Sequence, residues 1–243
     1  MNISNRVLYY WLVCLLWCCL DSNAVKAQPS ADTGEWFAVF AQGDLERVRD
    51  LERVRAESPN LKWWFDGHLR LLDDTGGYNQ SIIRPGVGVK VTERATLWVG
   101  YAFIHTNPLS GIEFDEHRIW QQVTWSDTRG PWTLALRSRL EQRFLETGDD
   151  LGWRFRQLVR VQRSLDPFPR LSMVVWDEAF FHLNDTDFGA RAGFDQNRAF
   201  AGLGFKRDED AKGRIEFGYL NHAVDVPSGN DRTEHLLSVN FYF

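Results

Sequence analysis

The chain has 243 residues, and its 28 Lys and Arg against 33 Asp and Glu give a formal net charge of −5. This mildly acidic balance argues against a nucleic-acid partner. Aromatic residues make up 14% of the chain, including 11 Trp, a content typical of transmembrane β-barrels with aromatic girdles at both membrane interfaces.

The first 27 residues predict a signal peptide. Arg6 supplies a positive charge, an apolar run extends from Val7 to Leu20, and Val25-Lys-Ala27 fits a small-x-Ala cleavage site. The run is short for a membrane-spanning helix. We therefore expect residues 28–243 to form the exported domain. It would lack cysteine, because all three cysteines precede the cleavage site: Cys14, Cys18 and Cys19.

The amino-terminal part of this domain contains a strand and a short repeat. Residues 36–41 are apolar and predict the first strand. Residues 45–55 contain a charged tandem copy, Leu-Glu-Arg-Val-Arg-Asp-Leu-Glu-Arg-Val-Arg. We interpret the repeat as a helical or loop insertion and assign it no function.

From Leu61 onward the sequence alternates between apolar and polar residues. Between Trp132 and Phe144, apolar side chains occupy one parity and charged side chains the other, and the pattern returns at 153–163. A period of two indicates strands. Ten further segments join residues 36–41 as predicted strands: 61–71, 83–91, 97–103, 113–126, 132–144, 153–163, 171–183, 194–205, 215–219 and 237–243.

These eleven segments predict an all-β fold, an antiparallel up-and-down transmembrane β-barrel. Bacterial barrels normally have an even number of strands, so we expect twelve, with ten as the alternative. No apolar run after Ala27 is long enough for a spanning helix, and a closed barrel is the other way to satisfy backbone groups in lipid. The predicted location is the outer membrane of a Gram-negative bacterium, after export.

The turns and the carboxyl end predict an orientation. The shorter connections, at 92–94, 127–131, 166–170 and 208–213, would be periplasmic turns. The last strand would then end in the periplasm. Its outward-facing Phe241 and Phe243 are predicted to form the membrane-insertion signal, which makes the barrel-insertion machinery a partner during biogenesis and outer-membrane lipid the surroundings afterwards.

The charged parity predicts a lumen with more basic than acidic groups. Arginine dominates, and its bidentate pairing with carboxylates suits a crowded interior. We predict either a structural ladder of ion pairs or a narrow channel that favours anions. The predicted network consists of Glu116, Arg118, Arg137, Arg139, Glu141, Arg143, Arg154, Arg156, Glu178 and Arg198.

Two other functions remain open. One is a lipid-modifying enzyme of the outer membrane, for which His182 near Glu178 or Glu116 beside His117 could form an acid–base pair. None of the six histidines has serine two residues later, so we assign no catalytic residue. The other is a soluble periplasmic ligand-binding barrel. The sequence predicts neither a metal site nor a cofactor, and it leaves the oligomeric state open.

Five motifs occur in order along the chain: Glu116-His-Arg-Ile-Trp-Gln-Gln122, Arg139-Leu-Glu-Gln-Arg143, Asp177-Glu178, Phe194-Asp-Gln-Asn-Arg198 and Gly218-Tyr219. Together they resemble an uncharacterised bacterial domain-of-unknown-function family that is taken to consist of outer-membrane β-barrels. The resemblance extends from about Trp36 to Phe243 and implies a barrel without an assigned activity. Asp177 is a charged motif residue on the outward parity.

Overall fold

The computed structural model describes residues 30–45, 60–108, 111–207, 213–226 and 231–243. Within these ranges the chain forms eleven strands of 11 to 16 residues. They are β1 (Ser30–Asp44), β2 (Leu61–Leu72), β3 (Gly77–Lys90), β4 (Ala95–Thr106), β5 (Phe114–Arg129), β6 (Trp132–Leu145), β7 (Gly152–Leu165), β8 (Phe168–His182), β9 (Gly193–Lys206), β10 (Arg214–Val224) and β11 (Arg232–Tyr242).

The eleven strands of the described residues close into one barrel, in which consecutive strands pair antiparallel. The closing pair, β1 with β11, is parallel, and its register runs from Ser30 opposite Arg232 to Phe40 opposite Tyr242. The expectation of twelve strands, or ten, in a fully antiparallel sheet was therefore wrong. With an odd number of alternating strands, the first and last point the same way and must meet in parallel.

The connections divide the barrel into two ends. We call the turn end the one that holds residues 91–94, 130–131 and 166–167, together with Phe243, whose N–H donates to the carbonyl of Phe40. The opposite loop end holds residues 73–76, 107–108, 111–113, 146–151 and 183–192. Three of the four predicted short turns, at 92–94, 127–131 and 166–170, thus share one end with the last residue of the chain, and the fourth, at 208–213, lies almost entirely outside the described residues.

Side chains alternate between the two faces of the barrel wall, as strand geometry requires, except where the register shifts in the β2–β3, β7–β8 and β8–β9 pairs. On β4, for example, Trp98 and Ala102 are buried inside, whereas Leu97 and Val99 are 44% and 47% exposed on the outside. The outward faces are mostly apolar on all sides of the barrel: Ile83, Val87, Ile119, Val123, Met173, Val175, Phe217, Tyr219 and Leu237 are each more than two-fifths exposed.

The lumen is partly filled by two apolar clusters. One contains Trp36 and Phe200, and the other contains Trp98 and Trp120. Glycines on neighbouring strands make room for the large rings. A Cβ on Gly100 would lie 2.3 Å from the Trp120 ring and 2.4 Å from the carbonyl oxygen of Pro85, so only glycine fits there without displacement of the backbone or the ring.

Some predictions lie outside the described residues. They include the signal peptide at 1–27 and nearly all of the repeat at 45–55. In the part of the chain that is described, no helix is long and apolar enough to span a membrane.

Candidate functional site in the barrel lumen

The predicted charged residues come together inside the barrel. Eight of the ten are buried, and the side chains of the other two, Arg137 and Arg143, are 15% and 12% exposed. They project from the inward parity of β5, β6, β7, β8 and β9. The lumen therefore holds a connected set of ion pairs.

Glu141 on β6 lies at the centre of this network and is fully buried. It accepts hydrogen bonds from Arg154 Nη2 at 2.8 Å and Arg156 Nη1 at 2.7 Å. Two further guanidinium nitrogens lie near it, Arg118 Nη1 at 3.6 Å and Arg139 Nη1 at 3.8 Å. Four arginines thus share one carboxylate.

Glu116 and Glu178 each join two arginines from neighbouring strands. Glu116 accepts hydrogen bonds on both oxygens from Arg118, at 2.6 and 2.7 Å, and from Arg143, at 2.6 and 3.2 Å. Glu178 accepts from Arg137 Nη2 at 3.0 Å and Arg156 Nη2 at 2.8 Å. Such charge-assisted, bidentate bonds hold both side chains in one geometry.

Two more carboxylates extend the network towards the turn end and the β1–β2 side. Glu216 accepts from Arg160 Nη1 at 2.8 Å and from Arg214 Nε at 2.6 Å. Asp66 lies 2.9 Å from Arg84 Nη1 and 2.9 Å from His68 Nε2. Both carboxylates are fully buried, so an ordered cation partner is needed to keep each one ionised in the lumen.

Asp195 is a network residue that the alternation did not predict. It receives a hydrogen bond from Arg154 Nη1 at 3.1 Å and lies 3.4 Å from His182 Nε2. A register shift in the β8–β9 pairing, between Phe180 and Phe181, lies opposite this part of β9. A bulge changes which residues face inward, and no signal in the sequence marks it.

Aromatic rings inside the barrel carry many of the guanidinium groups. Arg139 lies 4.7 Å above the Trp120 ring, and Arg156 and Arg198 lie 4.4 Å from the Phe180 ring. Ring faces attract cations and provide apolar contact for the flat guanidinium. The sequence did not indicate this pairing because an apolar ring can belong to either face of a strand.

Two cavities lie inside the barrel. One, of about 1030 Å³, reaches the turn end, and the other, of about 230 Å³, reaches the loop end. Five residues line both and form the wall between them, which we call the lumen wall: Trp36, Arg70, Arg84, Arg156 and Arg198. Four of these five residues are arginines, so an ion moving between the cavities would pass guanidinium groups.

Neither of the two candidate acid–base pairs is formed by a direct contact between its members. Glu116 points into the lumen, whereas His117 points outward, where its ring contacts the Tyr101 hydroxyl. The two side chains are on opposite faces of β5 and do not form a pair. His182 and Glu178 both face inward, but the polar partner of His182 is Asp195, and that of Glu178 is arginine.

Asp177 faces outward, as its parity predicted. Both of its oxygens accept hydrogen bonds from Asn197 Nδ2, at 3.0 and 3.1 Å. The neighbouring strand thus supplies a polar partner for the one charged motif residue that is turned away from the lumen.

Comparison with known proteins places the chain in a family. The chain is 36% identical over 231 residues to an uncharacterised protein of Methylorubrum extorquens, and the match covers 92% of this chain and 93% of that protein. No solved structure matches. The sequence model of a family described as a protein of unknown function, DUF2490, matches residues 33–233. The chain, with its arginine-lined barrel, therefore belongs to the DUF2490 family.

Proposed function

We propose that this protein is an outer-membrane β-barrel whose arginine-rich, ion-paired lumen forms a narrow passage that favours anions. The observation that carries the proposal is the division of side chains between the two faces. Apolar residues cover the outside, and the guanidinium groups are enclosed by strands.

The outer surface supports contact with lipid. Soluble monomers rarely expose contiguous apolar patches beyond a few hundred Å², yet apolar side chains are exposed on all sides of this barrel. The strands have 11 to 16 residues, and about 9–11 residues suffice for a tilted strand to cross a bilayer. Outward tryptophans, Trp63 and Trp132 near the turn end and Trp153 near the loop end, fit interfacial girdles.

The lumen wall supports a preference for anions. Arg70, Arg84, Arg156 and Arg198 lie where the two cavities meet, and rings of arginine favour anions in pores. A cation crossing this point would have to pass buried positive charge, which costs free energy in a low-dielectric interior. The wall therefore favours small anions.

A second candidate is a purely structural barrel without conduction. The two apolar clusters in the lumen favour it, as does the pairing of Glu116, Glu178 and Glu216 with two arginines each. A barrel of this size can be filled by its own side chains.

Planar-bilayer recording tests the proposal. The protein is purified in detergent, inserted into a bilayer and studied under a KCl gradient. We expect small unitary currents whose reversal potential has the sign for chloride selectivity. A cation-selective current would contradict the anion preference, and insertion without current would favour the structural barrel.

The membrane part of the proposal needs its own test. We expect the protein to need detergent for extraction and to migrate differently on gels before and after heating. A protein that purifies from the periplasm without detergent, and stays monodisperse, would instead be the soluble ligand-binding barrel.

A further inference from the structure

Two arginines of the lumen wall differ from all the paired arginines described above. Among the described residues, neither Arg70 nor Arg198 forms an ion pair with a carboxylate. Their hydrogen bonds go to neutral amides: Arg70 Nη1 donates to Gln80 Oε1 at 2.6 Å, and Arg198 Nη2 donates to Gln196 Oε1 at 2.7 Å. Two positive charges inside the barrel are thus left without a direct counter-charge.

The neighbouring carboxylates are already engaged. Glu178 lies opposite Arg198 across the β8–β9 pair, but it accepts hydrogen bonds from Arg137 and Arg156. Glu234 lines the same cavity as Arg70 and Arg198, but it accepts a hydrogen bond from His222 Nδ1 at 2.8 Å and lies 2.9 Å from Arg232 Nε. Its charge is therefore shared with groups nearer the loop end.

Both guanidinium groups also keep an unused donor. Arg70 is 8% exposed and Arg198 is 9% exposed, and the buried Nε of each has no hydrogen-bond acceptor among the described residues. Leaving a buried charged donor without an acceptor is costly. An acceptor that carries negative charge would supply both the missing counter-charge and the missing hydrogen-bond acceptor.

The two arginines lie close together. Their Cζ atoms are 4.0 and 5.0 Å from the centroid of the same Trp36 ring, so the sum of these distances, 9.0 Å, is the largest separation the two Cζ atoms can have. One polyatomic anion between them could accept from both, since guanidinium groups bind carboxylate and phosphate oxygens in pairs.

Both arginines can be reached from the ends of the barrel. Both arginines line the cavity of about 230 Å³ at the loop end and the cavity of about 1030 Å³ at the turn end. Arg139 makes a useful contrast. Its Nη1 and Nη2 also lack hydrogen-bond acceptors, but it does not line either of these two cavities.

From this geometry we propose that Arg70 and Arg198 form a binding site for an oxyanion, such as a phosphate, sulfate or carboxylate group, beside the Trp36 ring. This inference does not depend on the proposed conduction, because the binding site requires only the closed barrel. Its anion is bound and exchanged through the two cavities, and it supplies the counter-charge that the chain does not place there.

Thermal unfolding of the purified protein in detergent tests this site with defined probes. The midpoint is measured against increasing sodium phosphate, sulfate or acetate, with sodium chloride holding the ionic strength constant. Ligands that bind the folded state raise the midpoint in a saturable way. We expect saturable increases with the three oxyanions and none with chloride.

The R70Q/R198Q double variant identifies the residues responsible. It should fold, because it removes uncompensated buried charge, and its midpoint without oxyanion should equal or exceed that of the wild type. We expect the saturable increase to disappear. R214Q is the matched control, since Arg214 lies near the turn end and Glu216 keeps Arg160; it should retain the increase.

The outcomes separate this site from general salt effects and from conduction. Sulfate and phosphate strengthen apolar burial in any protein, and that part is linear and common to all variants. A saturable increase that survives in R70Q/R198Q, or its absence in the wild type, would overturn the inference. Oxyanion binding by a barrel that carries no current would leave this site in place and contradict only the conduction.

Discussion

Glu141 holds four guanidinium groups in one place inside the barrel. Arg154 and Arg156 donate to it directly, and Arg118 and Arg139 lie within 3.8 Å. A buried ion pair gains little over apolar residues of the same size, but removal of one partner leaves uncompensated charge and is strongly destabilising. Each shared carboxylate in this lumen is therefore more critical than any one of the arginines around it.

The first prediction concerns that carboxylate. Glu141→Gln removes the negative charge that all four groups share, and we expect it to lower the free energy of unfolding by about 3–5 kcal/mol. Urea unfolding in detergent or lipid, followed by tryptophan fluorescence, measures the change. Glu93→Gln is the control: Glu93 is exposed and pairs only with Lys90 across a turn, so stability should stay the same. Equal stability of both variants would contradict the central role of Glu141.

At the scale of strands, the close contact between β3, β4 and the Trp120 ring depends on glycine. Gly86 and Gly100 face each other across the β3–β4 pair, and the Trp120 ring lies over both. A methyl group at either position would meet the ring and also a backbone carbonyl oxygen, at 2.4 Å from Gly100 and 3.0 Å from Gly86. Overpacking of this kind displaces neighbours that are themselves tightly packed.

The second prediction tests that contact. Gly100→Ala should lower the free energy of unfolding by about 1–3 kcal/mol because a well-packed interior cannot accept the extra atom. Gly67→Ala is the matched control in a neighbouring strand. The nearest contacts of its new Cβ would be Phe65 at 3.6 Å and the carbonyl oxygen of Ile82 at 3.8 Å, both ordinary van der Waals distances, so we expect a change within about 0.5 kcal/mol. The reverse order of the two effects would refute this account of the packing.

The third prediction concerns two loops at the loop end. Asp187 accepts hydrogen bonds from the backbone N–H of Asp149 at 2.8 Å and of Asp150 at 3.3 Å. The N–H of Asp149 is the main cause that lowers the pKa of Asp187 below its ordinary value of 3.8. A lowered carboxyl pKa stabilises the folded state above the unfolded value, and the contribution is lost as pH falls through the folded value.

We therefore expect the two loops to separate locally below about pH 4 while the barrel stays closed. Hydrogen exchange, corrected for the intrinsic pH dependence of amide exchange, should show faster exchange of the Asp149 and Asp150 amides as acid is added. Asp187→Asn should have the faster exchange already at neutral pH. Unchanged protection of both amides in Asp187→Asn would argue against this contact.

On the scale of the whole molecule, alternation along each strand predicted most of the charged residues that share the lumen, with Asp195 as an exception, because a charged side chain rarely occupies the apolar face of a strand. It could not predict their partners. Arg137 pairs with Glu178 and Arg160 with Glu216 across 41 and 56 positions of sequence, distances that depend on register. The alternation also did not predict which face of the barrel wall an aromatic residue occupies: Trp120 lies inside, while Trp132 lies outside.

Individual strands could be predicted from local sequence, but the way in which the sheet closes could not. Eleven alternating segments could be counted, and eleven strands are present in the described residues. The expectation of twelve came from a general rule about even numbers. Whether the ends meet in parallel is decided by closure of the whole sheet, for which no single segment contains a signal.

The fourth prediction tests the orientation of the proposed membrane protein. Arg191 lies in the loop 183–192 and is exposed, and Arg129 lies beside the turn 130–131 at the opposite end and is also exposed. The three native cysteines lie within residues 1–27, where the sequence predicts a cleaved signal. We expect a membrane-impermeant maleimide to label Arg191→Cys on intact cells, and Arg129→Cys only after the outer membrane is opened. Labelling of Arg129→Cys alone on intact cells would indicate the opposite orientation. Equal labelling of both variants would contradict a protein that spans the membrane.

The parallel pairing of β1 with β11 joins residues near opposite termini of the polypeptide. In the membrane setting that we propose, two strand edges carry unsatisfied amides and carbonyls until that junction forms, and hydrocarbon cannot solvate them. The slit between them would also let acyl chains meet the guanidinium side chains. A polypeptide truncated before Arg232 should consequently fail to insert stably into a bilayer, even if all of its earlier hairpins are intact.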